Sequence, residues 1–233
     1  VVWWSNRRRA RPEPGLRPSV VPTELVRVDF TDLAPEPIAF LGQAAAIQLE
    51  FFEGLSRAVA TAPDLVSKEG LSAAAGVALR KHHALIAELR REGVEPVTMM
   101  QPFAAATERF REITSGDDWY ELLLGIHVTS GILDDFFSRL AEGLPSDLGA
   151  RVRVILAEAG AGGVLEQRLS SAIADVPGLA DRLALWGRSL VGDTLLVARS
   201  ALRTGGDDQA VEPVFTELIA EHTRRMDALG LTA

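Results

Sequence analysis

The 233-residue chain has no cysteine. That excludes disulfides, thiolate metal sites, iron–sulfur clusters and a cysteine nucleophile. Tyrosine occurs once and histidine four times, so acid–base chemistry at an imidazole has few candidates. No apolar run reaches the roughly 18 residues of a spanning helix, and no membrane partner is expected. Positive charge is also short: 24 Lys and Arg face 32 Asp and Glu, for a net charge of −8. A protein that grips a nucleic acid duplex shows a basic footprint, and the chain as a whole does not. Aromatic residues make up 6% and are not interleaved with basic ones, so a base-stacking platform is not expected. Glycine-rich phosphate loops and the Gly-x-Ser-x-Gly elbow of hydrolases are missing too.

What is present is an ordinary globular composition, 47% hydrophobic and 24% charged. This rules out disorder for the bulk of the chain. Charge is unevenly placed. Arg7, Arg8, Arg9, Arg11, Arg17 and Arg27 against Glu13 and Glu24 give residues 1–27 a net +4 on an otherwise acidic body. No apolar core of a signal peptide follows Val1-Val2-Trp3-Trp4, so a cytoplasmic location is expected. Pro12, Pro14, Pro18, Pro22 and Pro35 interrupt any helix before residue 37. The chain therefore divides into a Pro/Arg-rich arm, 1–36, and a helical domain, 37–231. Trp3 and Trp4 would anchor the arm, on its own domain or on a second copy.

From residue 37 onward Ala, Leu, Glu and Arg dominate. Helical periodicity predicts segments near 37–61, 66–92, 117–142, 147–174, 177–203 and 211–229, with a shorter helix around 103–114. The run Gly160-Ala161-Gly162-Gly163 falls inside the fourth segment and suggests close helix contact or a kink. Gly205 to Asp208 reads as a loop. Rods of about 25 residues are about 37 Å long and pack as antiparallel neighbours. The expected fold is all-α: an antiparallel four-helix bundle with extra C-terminal helices.

Several strings sharpen this picture. They are Gln48-Leu49-Glu50-Phe51-Phe52-Glu53, Lys81-His82-His83, Asp118-Trp119-Tyr120-Glu121, Asp134-Asp135-Phe136-Phe137, Arg182 through Arg188 with its Trp186-Gly187-Arg188, and His222 through Leu231. Together they resemble actinobacterial ferritin-like proteins related to the tRNA-(2-methylthio-isopentenyladenosine) hydroxylase family. The resemblance covers residues 37–231. It implies a carboxylate-bridged metal centre, iron or manganese, inside the bundle. Two helices each supply a glutamate, and two others each supply Glu-x-x-His, whose spacing puts both donors on one face.

Each position can be tested in this sequence. Glu53 shares a face with Gly42, Ala46, Leu49, Ser56 and Ala60 and is the best match to the first glutamate. Glu50 shares a stripe with Gln43 and Arg57 and reads as surface. His82 lies on the apolar face of the second segment, with Leu71, Ala75, Ala78, Leu85 and Leu89. Three residues before it stands Leu79, and three before His83 stands Arg80, so that motif is broken. Asp135, one turn from Ile132 and Val128, is the acidic candidate of the third segment beside Glu121, His127 and Asp134. Glu158 is followed three residues on by Ala161 rather than histidine. Candidate metal ligands are thus Glu53, His82, Asp135 and Glu158. Unmetallated inner acids would need cationic partners; Arg182, Arg188 and Arg199 are the natural ones, with Asp193 a further acid on that helix. His222, in a basic cluster, reads as complementing a helix C-terminus.

Three functions stand against one another. The first is a bundle with a degenerate di-metal site and no cofactor, acting as a binding or assembly module with a small-molecule ligand or a homodimer partner. The second is a non-haem iron or manganese hydroxylase. The third is a purely structural dimer or a subunit of a larger complex, its arm exchanged between subunits. Transfer RNA is not favoured as a partner by the charge, unless the arginine arm supplies phosphate contacts.

Overall fold

The computed structural model describes residues 30–158, 162–202 and 208–232. Among them are nine α-helices and two 3-10 turns, and no strand. Trp3, Trp4 and the prolines up to Pro22 lie outside the described residues, as do Gly160, Ala161, Gly205 and Gly206.

The helix ends follow local chemistry. α1, Pro37–Thr61, opens on a proline whose missing N–H would have had no helical partner. α2, Leu65–Arg91, is capped by Asp64. Its carboxylate accepts from the backbone N–H of Ser67 at 2.7 Å and from the Ser67 hydroxyl at 2.9 Å. At its far end Gly93 takes φ +77°. Val94 N–H then donates to Leu89 and Gly93 N–H to Arg90, closing a Schellman motif. Next come α3, Pro96–Met100, a 3-10 turn, and α4, Ala104–Thr114. Asp118 caps α5, Trp119–Leu140, through the N–H groups of Tyr120 and Glu121. After a second 3-10 turn come α6, Ser146–Leu156, and α7, Gly162–Asp175. α8, Leu179–Ser200, and α9, Asp208–Ala228, complete the order.

The single segment expected over 147–174 is therefore two helices. α6 ends at Leu156 and helix resumes at Gly162, so Gly162 and Gly163 open α7 instead of lying in mid-helix.

α5 is the hub. It packs against α1, α6, α7, α8 and α9. Leu123, Leu124, Ile126, Val128, Ile132, Leu133, Phe136, Phe137 and Leu140 are all buried, so it is apolar almost all round, as a central helix must be. α1 pairs along α2 and is covered from another side by α3 and α4. Between α4 and α5, Gly125 is required by a close approach: a Cβ there would lie on the Thr114 carbonyl oxygen. Because that atom is backbone, relief needs a helix shift. Gly125→Ala is expected to lower unfolding free energy by about 1–3 kcal/mol. Urea unfolding of the two proteins checks this, and equal midpoints would contradict it.

No helix among the described residues is long and apolar enough to cross a membrane.

Candidate functional site

The four metal-ligand candidates go to four different partners. Glu53 keeps 48% of its side chain exposed and accepts from Arg111 of α4 at 3.2 Å. It does not face the bundle interior. The stripe from Gly42 to Ala60 turns toward α3 and α4, where its small residues allow close contact; Gly42 lies under the Met99 carbonyl. The inward face of α1 carries Leu41, Ala44, Ala45, Gln48, Phe51, Leu55 and Ala58. His82 is buried as expected, and its Nδ1–H donates to the Ala45 carbonyl at 2.9 Å. Burial lowers its pKa, opposed by that hydrogen bond and aided by His83. Asp135 is held by Arg225 of α9. Glu158, just past the end of α6, is exposed and pairs with Arg80 at 2.7 Å.

The polar group inside the bundle is a different one, and it comes from three helices. Asp134 of α5 accepts from Gln48 Nε2 of α1 at 2.6 Å and from Lys81 Nζ of α2 at 2.8 Å. Lys81 is only 3% exposed. Burial raises the Asp134 pKa, while Lys81 and Gln48 draw it back down. Beside the trio is a cavity of about 20 Å³, lined also by Phe51, Leu55, Ile126 and Ser130. That is room for a water-sized guest and no substrate.

These residues do not fit iron or manganese. Within this trio one side chain is a neutral amide and one a cation, leaving a single carboxylate. Hard divalent metals need several oxygen or imidazole donors, and the ammonium repels a second cation at the same carboxylate. No three His, Asp or Glu side chains group to hold a metal among the described residues.

The arginines of α8 have mixed roles. Arg182 binds the buried Glu121 at 2.5 Å and Asp118 at 2.6 Å, tying α8 to the start of α5. Trp186 adds a bond from its indole N–H to the Glu121 carbonyl at 3.0 Å. Arg188 instead donates to the Thr232 carbonyl at 2.7 Å on the surface, and Asp193 is half-buried on the same helix. The Trp186-Gly187-Arg188 string is therefore a clamp: Gly187 seats Met226 of α9.

His222 does not complement the C-terminus of α9: it is 3% exposed, and among the described residues no hydrogen-bond partner meets either ring nitrogen. His127 of α5 is buried with its Nδ1 likewise unpartnered. Burial, with Arg225 and His222 nearby, lowers the His127 pKa to about 4.

The largest departure concerns Glu50. It is not on the surface: its side chain is 11% exposed, beneath α4. Burial raises its pKa to about 7, against the pull of Arg111 and Arg57. Its ion pairs are long, 3.6 Å to Arg111 and 3.5 Å to Arg57. The short contacts of Arg111 go to Glu108 at 3.1 Å and Glu53 at 3.2 Å. Glu50 lines an open cleft of about 310 Å³ between α1 and α3–α4. It also lines a narrow crevice of about 40 Å³ among Ile47, Phe103, Phe110 and Val197. Sequence periodicity missed it because it identifies one buried face per helix, and α1 is covered on two.

No curated protein matches the chain. One family does, and its match runs from the residue before α1 into the first turn of α9. The sequence profile of the ferritin-like domain of actinomycetes covers residues 36–211, and the chain belongs to that family.

Proposed function

We propose that this protein is a ferritin-like bundle that works without a metal centre and serves as a binding module, with its ligand site in the cleft beside Glu50. The supporting observation is the Lys81–Asp134 pair inside the bundle, hydrogen-bonded to Gln48. A lysine ammonium supplies there the positive charge that a carboxylate site otherwise takes from metal. The adjoining cavity is too small for a substrate. The Glu50 cleft is roomy, open and lined by a carboxyl that changes charge near neutrality. Sites of this form are the usual places for small ligands.

The hydroxylase reading needs Glu53, His82, Asp135 and Glu158 to converge, whereas each is bonded to a separate partner. Elemental analysis of protein expressed with ample iron and manganese decides between the two. Metal far below one ion per chain after dialysis is expected. Stoichiometric iron or manganese that the Asp134→Asn variant fails to retain would overturn the binding-module reading.

A further inference from the structure

Away from Glu50, an open apolar groove of about 480 Å³ runs between α2 and α6. Ala84 and Ala87 form one wall, and Ala150, Val154 and Ile155 the other. Its two polar side chains, Glu88 and Arg151, are bonded to each other at 3.0 Å, and Arg91 also binds Glu88. Neither is left to orient a polar ligand. Val154 is 74% exposed at the rim. A trough of small side chains beside one exposed valine suits a flat apolar group, an aromatic ring above all.

The two helices run antiparallel here, with Arg80 opposite Glu158 and Glu88 opposite Arg151. One end of the groove therefore opens toward the C-terminus of α2 and the N-terminus of α6. At that end the Phe30 backbone packs on Gly143, three residues before α6. Exposed carboxylates mark the route between them: Glu142 next to Gly143, then Asp147 and Glu92 near Arg151. Ahead of Phe30 stand residues 1–29, outside the described residues, with six arginines and Trp3 and Trp4. The other two tryptophans are committed to the bundle, Trp119 bonded to the Ala58 carbonyl and Trp186 to that of Glu121.

We propose that the groove between α2 and α6 is the docking site of Trp3 and Trp4 of the same chain, with Arg7, Arg8 and Arg9 set against Glu92 and Asp147. The tether is long enough: 25 residues separate Trp4 from Phe30, and a coil of that length spans about 25–30 Å. The rise from Ser146 to Val154 along α6 is only about 12 Å. A tether of this kind gives an effective concentration on the order of millimolar, so a weak indole contact suffices to cover the groove. Opposite charges on the arm and on the rim add to it. This inference goes beyond the binding-module reading and depends on neither the metal content nor the Glu50 cleft.

The absence of cysteine makes the test direct. In the full chain, Val154→Cys puts a single thiol at the rim of the groove, and its reaction with dithionitrobenzoate reads access to it. Leu196→Cys, at a position 65% exposed on α8, is the control. Adding Trp3→Ala and Trp4→Ala is expected to speed the groove thiol by at least about tenfold and to leave the control thiol unchanged. The slow reaction before that change should be independent of protein concentration. The proposal is overturned if the tryptophan changes leave the groove thiol as it was, or if they speed both thiols alike. Protection that is lost on dilution overturns it as well, and assigns the groove to a second copy of the chain.

Discussion

Lys81→Met is expected to destabilise the protein by about 3 kcal/mol, the lower end of the cost of breaking a buried ion pair. The lower end applies because Asp134 is not fully enclosed: 25% of its side chain remains exposed. The methionine matches the lysine stem but leaves the carboxylate with Gln48 alone. Burial already raises the Asp134 pKa, and removing the ammonium raises it further. The loss in Lys81→Met should therefore be greatest at neutral pH and shrink as acid neutralises Asp134. The paired change Lys81→Met with Asp134→Leu should recover most of the stability, since apolar isosteres of buried ion pairs are often neutral or better. Urea unfolding of the four proteins of this cycle measures the coupling. If Lys81→Met alone costs nothing, the pair does not hold the bundle centre.

Acid is the second large effect, and it acts where α9 meets α5. The folded His127 pKa is about 4, against an ordinary value of 6.5. The fold thus favours the neutral ring, and the unfolded chain binds the proton first. The stabilisation is complete above pH 6.5 and drains away as pH falls toward 4, by up to about 3 kcal/mol. His222 is shifted the same way by burial and Arg225. Glu50 works in the opposite sense: its raised pKa makes folding more favourable as pH falls from about 7 toward 4.5. The whole-protein profile mixes these contributions, so the clean measurement is a difference. His127→Leu should lose less stability than wild type between pH 7 and pH 4.5, and His127→Leu with His222→Leu less still. Parallel profiles for wild type and His127→Leu would show that the ring carries no such linkage.

Both expectations involve residues whose place in the fold only partly shows in the sequence. The apolar spacing of α2 put Leu71, Ala75, Ala78, His82, Leu85 and Leu89 on one face, and all are buried. Lys81 next to that face gave no such signal. A long aliphatic stem can lie along a hydrophobic surface and end in water or reach inward, and only the opposing Asp134 determines which. On α1 every residue from Phe40 to Gln48 is buried. Small side chains on both sides leave the stripe from Gly42 to Ala60 indistinguishable from the true inner face, which exchanged the roles of Glu53 and Glu50.

The sequence by itself determined the all-helical class, the approximate extents of α1 and α2, a start of α5 close to residue 117 and the broken Glu-x-x-His units. These depend on neighbours a few residues away along the chain. Tertiary structure alone decided how each rod is rotated, which cation meets which acid, and that α4 covers Glu50. Those outcomes depend on the desolvation of charged groups by helices distant in sequence, and helical periodicity does not record which helix will dock on which side.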